Sequence, residues 1–256
     1  MKGRCYIGTS GWSYDHWNGL FYPSGTKSSY RLKYYITQFD TVEINNTFYH
    51  LPSPSAFETW KKVAPDGFIY ALKSSRFITH MKKLKDPEGP LTNFIERARL
   101  LKDNLGPILF QLPPRWRCNP SRLKSFIKYL PRNIRFAFEF RDPDWFNEEV
   151  YSILRKGDYA FCIYHMPDLE SPVEVTASFA YIRFHGAGTL YSGRYLKSYL
   201  SRWADTIRGF AREGIDVYVY FNNDANANAI VNANELMELL GKEEATPGSL
   251  GFEERG

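Results

Sequence analysis

The sequence predicts an α/β protein of the (β/α)8, or TIM-barrel, class. Eight strand-like segments alternate with helix-like ones along 256 residues, a length that suits one such barrel. Five of the strand segments place a charged or amide side chain, on one parity, near the C-terminal end. That is the end where barrels of this class carry their chemistry.

The first strand is expected at 5–8, entered from an N-terminus with no signal-peptide apolar stretch. A helix at 30–39 leads to the second strand, which begins at Thr41. Residues 53–64 read as a helix, with Ser53 as its cap and Pro54 in the first turn. The third strand spans 68–73, and a helix at 92–104 follows, with Gly106 as its stop. The fourth strand lies at 108–112, a helix at 121–130, and the fifth strand at 135–140. A helix at 144–156 is stopped by Gly157, before the sixth strand at 160–164. Residues 165–178 contain Pro167 and Pro172 and lack helical period, so a loop replaces the helix between strands six and seven. The seventh strand spans 179–184, and a helix at 195–213 ends at Gly214. The eighth strand lies at 217–221, and a last helix at 225–240 completes the order. One domain over 1–241 is expected, with a disordered tail at 242–256, where Glu and Gly dominate without periodicity.

Composition narrows the function classes. Hydrophobic content is 43% and charged content 24%, as in ordinary globular proteins. Aromatic content is high at 17%. A net charge of +5 permits an anionic partner without demanding one. No apolar run approaches the roughly 18 residues of a membrane span. Cys5, Cys118 and Cys162 are far apart and odd in number, which points to a reducing cytoplasm and no disulfide framework. Gly-rich phosphate loops, nucleophile elbows and redox Cys pairs are missing.

The candidate site is read from strand parity. In Thr41-Val-Glu-Ile-Asn45, Glu43 and Asn45 face away from Val42 and Ile44. In the fifth strand Phe136, Phe138 and Phe140 take one face, and Glu139 and Arg141 the other. Lys73 ends the third strand, Gln111 the fourth, and Arg183 and His185 the seventh. Tyr220 and Asn222 come from the eighth. Glu43 and Glu139 form an acid/base pair, with His185 assisting proton transfer. Lys73 is a nucleophilic amine or, with Arg141 and Arg183, part of an anion site. Trp12, Asn45, Arg76, Gln111, Tyr220 and Asn222 complete a substrate-binding set. Glu43, Glu139, His185 and Asp224 could share one divalent ion, but scattered histidines do not make a metal cluster, and no metal is predicted. An internal salt-bridge network is the competing structural explanation of the same charges.

The loops above the mouth mix aromatics with cations. Trp12, Tyr14, Trp17, Phe21 and Tyr22 lie in the first, and Arg76, His80, Lys82, Lys83 and Lys85 in the third. Arg115-Trp-Arg117 follows the fourth strand. Such pairings suit stacked bases or sugar rings with neutralised phosphates, or else a small satellite core capping the barrel.

Longer motifs carry a family resemblance. Gly8-Thr-Ser-Gly-Trp-Ser-Tyr14, with Trp17 and Phe21-Tyr-Pro23, resembles the opening signature of the YecE-like proteins, the domain of unknown function family 72. The likeness continues through 39–49, Ile78-Thr-His80, 105–114, Phe138-Glu-Phe-Arg141 with Trp145, Arg183-Phe-His-Gly186 and Tyr220-Phe-Asn-Asn-Asp224. It covers nearly the whole chain to about Leu240 and implies a TIM barrel, without supplying an activity. The architecture is similar to that of endonuclease IV and sugar isomerases, but this chain lacks their many histidine and carboxylate ligands.

Three functions stay open. The first is a hydrolase or lyase acting on a phosphate-bearing substrate: a nucleotide, a nucleic acid or a sugar phosphate. The second is a non-catalytic nucleic-acid-binding barrel that uses the aromatic and basic loops. The third is a scaffold whose mouth charges serve only one another.

Overall fold

The structure, a computed structural model, describes residues 2–241. The expected tail at 242–256 lies outside the described residues. In chain order the elements are β1 (Cys5–Thr9), α1 (Ser28–Tyr35), β2 (Thr41–Ile44), α2 (Asn46–Tyr49), α3 (Pro54–Val63), β3 (Ile69–Lys73) and α4 (Glu88–Ala98). Then come β4 (Leu105–Gln111), α5 (Pro120–Phe126), β5 (Phe136–Glu139), α6 (Glu148–Gly157), β6 (Ala160–Met166), β7 (Leu169–Glu170), β8 (Phe179–Phe184), α7 (Lys197–Arg212), β9 (Asp216–Phe221) and α8 (Asn228–Leu239).

Eight parallel strands follow one another in the order β1-β9-β8-β6-β5-β4-β3-β2. A parallel bridge between Ser10 and Glu43, with Gly11 N–H donating to the Glu43 carbonyl at 2.8 Å, joins the two ends. Gly8 makes that junction possible: a Cβ there would lie 2.2 Å from the Thr41 carbonyl oxygen. The result is a nearly closed TIM barrel.

Strand alternation divides the interior into two cores. Outward-facing Val42, Ile44, Phe136, Phe138 and Phe140 pack with the helices. The barrel lumen is filled by Ala71, Leu109, Ala137, Ala160 and Cys162 on one side and Phe179, Tyr181, Tyr218 and Tyr220 on the other. Small residues on β3 to β6 leave room for the rings of β8 and β9 in the lumen.

Several element ends differ from expectation. Gly106 does not stop a helix. It lies inside β4, where a Cβ would come 2.4 Å from Ile69 Cγ2, so it serves close strand packing. The helix before it begins earlier, at Glu88, and tightens into a 3-10 stretch over Arg99–Asn104. Gly157 belongs to α6, and Asp158 takes the left-handed position at φ 56° instead. A Cβ on Gly157 would strike the Tyr159 ring at 2.1 Å, so packing explains that glycine. Asp144 sits in a 3-10 turn (Pro143–Trp145), and Asn147 caps α6 by accepting from Val150 N–H at 3.1 Å. No helix joins β6 to β8, as expected, but the connection is not all loop: β7 pairs antiparallel with the end of β6. The helix α2 and a π-helical turn at Phe77–Met81 were not foreseen. Among the described residues, Cys5, Cys118 and Cys162 form no disulfide, and no helix is long and apolar enough to cross a membrane.

Candidate functional site

Arg183 organises the barrel mouth. It projects from β8 with no solvent exposure and spans the lumen to two carboxylates. Its Nη2 donates to Glu43 Oε1 on β2 at 2.7 Å, and its Nη1 to Glu139 Oε2 on β5 at 2.6 Å. Both glutamates are fully buried. Glu43 also accepts from Ser10 Oγ at 2.7 Å and from Tyr181 Oη at 2.6 Å. Glu139 Oε1 accepts from Arg141 Nε, and the Cys162 thiol faces Oε2 at 3.7 Å. Burying these charges would cost several kcal/mol each without partners. With them, the charges are compensated. Burial alone would raise Glu139, but Arg141 and Arg183 bring it well below the usual carboxylate range. Burial alone would lower Arg183, and Glu43 and Glu139 hold it well above its ordinary value.

His185 sits beside this network, fully buried. Arg141 Nη2 lies 3.0 Å from its Nε2, and Asn222 Nδ2 lies 3.1 Å from its Nδ1. A guanidinium can only donate, so Nε2 is the acceptor and the proton resides on Nδ1. That tautomer requires the Asn222 amide to turn its oxygen toward the ring. Burial, then Arg183, pushes the imidazole down to about 3, so it is neutral near pH 7.

Lys73, at the end of β3, is a mouth cation without a counterion among the described residues. Among the described residues its amine has no hydrogen bond or ion pair; it lies 4.2 Å from the Phe48 ring centroid. Burial, then Arg183, lowers it to about 8. The neighbouring carboxylates are already bound to arginines, so Lys73 faces surplus positive charge. His80, in the π-helical turn after β3, feels the same field: burial, then Lys73 and Arg76, brings it to about 4. Arg76 itself is exposed.

Other expected site residues scatter in depth. Gln111 is buried at the end of β4, in register with Glu139. Tyr220 points into the lumen, but it is fully buried, and its hydroxyl pairs with Thr41 Oγ1 at 2.8 Å, at the opposite end of β2 from the mouth. Parity chose its direction correctly, while its depth removes it from solvent. Arg183 is likewise closed off, with both Nη atoms committed to glutamates. Asp224 stands apart, 3.6 Å from the His16 ring, and no group of three or more His, Cys, Asp or Glu among the described residues could hold a metal ion. The four-residue divalent-ion set therefore does not assemble.

The first-loop aromatics largely form a cap. Trp17 and Tyr22 are buried, Trp17 Nε1 donates to the Asp224 carbonyl at 3.0 Å, and Tyr22 Oη donates to the Trp12 carbonyl. Trp12 and Tyr14 remain beside a groove of about 270 Å³, with Gly11, Asn45 and Tyr49. Gly11 has φ 93°, and a Cβ there would meet Tyr14 Oη at 2.8 Å. Asn45 Oδ1 is buried with no hydrogen-bond partner, a state that costs about 1–3 kcal/mol. Ser10, Tyr181 and Tyr49 were not singled out from the sequence. Inward parity marks Tyr181, two residues before Arg183, whereas Tyr49 rides on a helix with no sequence signal.

Comparison with known proteins agrees with this architecture. The family model described as protein of unknown function DUF72 matches residues 6–253. The UPF0759 protein YunF of Bacillus subtilis is 25% identical over 92% of this chain and 94% of its own length. The UPF0759 protein YecE of Escherichia coli is 30% identical over 59% of this chain and 54% of its own. A DUF72 family crystal structure from Thermotoga maritima superposes with a TM-score of 0.82 at 30% identity, over 93% of this chain and 99% of that one. A D-psicose 3-epimerase from Clostridium cellulolyticum shares the fold alone, with a TM-score of 0.50 at 12% identity, over 94% of this chain and 97% of that one. By the span of the family match and the barrel it folds into, this chain belongs to the DUF72 family.

Proposed function

We propose that the barrel mouth is the active site of a hydrolase or lyase that binds a small phosphate-bearing substrate. The observation that carries this reading is Lys73, a cation left unpaired because Arg183 and Arg141 occupy both nearby carboxylates. A phosphate oxygen supplies the missing counterion, and the exposed Arg76 on the same rim adds a second contact. Arg141 also reaches the thioether of Met166, at 2.9 Å, and His185. A phosphate that draws Arg141 from Glu139 frees Oε1 of that carboxylate for acid/base work. Glu43 and His185 hold the frame: one anchors Arg183, the other positions Arg141.

The test is calorimetry with inorganic phosphate at pH 9, where the amine is mostly neutral. Binding an anion raises the amine's proton affinity, so complex formation takes up protons, detected as a heat that changes with the buffer's ionisation enthalpy. Affinity should fall as pH rises above about 8. Binding that is equally tight in Lys73→Met, or no saturable binding at all, would remove the reading. The nucleic-acid alternative draws on Arg76, Lys83 and Lys85, all exposed on the loop after β3. Affinity for single-stranded DNA or RNA that drops steeply with salt and yields no product would favour it.

A further inference from the structure

We infer that the groove formed by Trp12, Tyr14, Asn45 and Tyr49 is a ring subsite for the same substrate, which makes that substrate a phosphorylated heteroaromatic compound of the nucleoside monophosphate class. The inference rests on the anion reading of Lys73 for the phosphate end only.

Three observations support it. The groove, about 270 Å³, has aromatic walls: Trp12 is braced edge-on by Trp60 at 5.7 Å, and Tyr14 is held by its hydroxyl, which donates to the Ser10 carbonyl at 2.5 Å. These rings are fixed in place before any ligand arrives, so stacking on them costs little ordering. Tyr49 stands 77% exposed on α2, an aromatic with no core to fill. Asn45 also lines the groove, and its Oδ1 is buried with no hydrogen-bond partner. A turn of that amide presents the oxygen to a ligand N–H in the groove. One acceptor among aromatic faces suits a flat heterocycle with an edge donor. A pyranose, with hydroxyls around its rim, would leave most of them unpaired there.

The short helix α2 ties the two ends together. Phe48 lies under the Lys73 amine at 4.2 Å, and the Tyr49 ring is 5.0 Å from Phe48. Amine and groove are thus separated by a single aromatic ring, a gap that a ribose can bridge. Gly11 lines the groove and donates its N–H to the Glu43 carbonyl at 2.8 Å, so a bound ring lies beside the β1–β2 junction.

The experiment compares affinities for adenosine monophosphate, inorganic phosphate, adenosine and glucose 6-phosphate by calorimetry on the full chain. Adenosine monophosphate should bind at least tenfold tighter than phosphate, in keeping with base stacking on an aromatic wall. Tyr49→Ala, at an exposed position, and Asn45→Ala should each remove most of that gain while leaving phosphate affinity within twofold. Equal affinity for adenosine monophosphate and phosphate overturns the ring subsite but spares the anion reading. Adenosine binding without phosphate binding sustains the ring subsite and sinks the anion reading. A gain for glucose 6-phosphate as large as for the nucleotide, or a gain that survives both variants, overturns the proposal.

Discussion

Replacing Lys73 by Met should stabilise the protein near neutral pH, and the gain should vanish in alkali. Met keeps the length of the stem and its contact with Phe48 while removing a charge that has no partner. The amine titrates near 8 in the folded chain against 10.5 ordinarily. Each tenfold change in proton affinity is worth about 1.4 kcal/mol, so the charged amine weakens the fold by up to about 3 kcal/mol below pH 8. The sign follows from proton binding. Below pH 8 both folded and unfolded chains hold the proton, and the penalty is constant. Between about 8 and 10.5 the unfolded chain holds more protons, so wild-type stability rises with pH relative to the variant. Urea unfolding of both proteins at pH 7 and pH 10 measures this, and the difference between them cancels other groups that titrate in the window. We expect Lys73→Met to be about 1–3 kcal/mol more stable at pH 7, with most of that advantage lost by pH 10. A variant less stable than wild type at both values would show that Lys73 is paired in the resting protein, and the anion reading would lose its foundation.

Glu139→Gln removes one of the two carboxylates that neutralise Arg183 and the one that holds Arg141. It should cost about 3–5 kcal/mol in chemical denaturation, as for other broken buried ion pairs, and should lower Lys73 further, because Glu139 now helps keep the amine charged. Gly8→Ala should be more damaging than its size suggests, since the new Cβ would sit 2.2 Å from a backbone oxygen at the β1–β2 junction; thermal denaturation should show a large loss or no folded protein. Gly209→Ala, inside α7 with nothing within 4 Å of the new Cβ, should instead raise stability by about 0.5–1 kcal/mol in the same assay.

What could be read from the sequence was direction, and what could not was depth and partnership. Alternation of side chains placed Phe136 and Phe138 outside the barrel and Glu139 inside it. The same rule turned Tyr220 and Arg183 inward, but a period of two has no vertical coordinate along the lumen. Tyr220 is therefore sunk against Thr41 while Lys73 stands at the mouth, although both obey the inward parity. Glycines show a related limit: Gly214, at φ 84°, ends α7 by its conformation, whereas Gly106 and Gly157 are bare because Ile69 and Tyr159 press against them. A stop signal and a packing requirement look alike in one dimension. The charge set shows this most clearly. Two acids and three bases on four strands are compatible with an internal network or with a binding site, and the side-chain types alone favour neither. In the folded barrel Arg183 takes one oxygen from each glutamate and Arg141 takes another, which leaves Lys73 as the remainder. The network and the proposed site are then not rivals: completing the first is what creates the unpaired amine on which the second would depend.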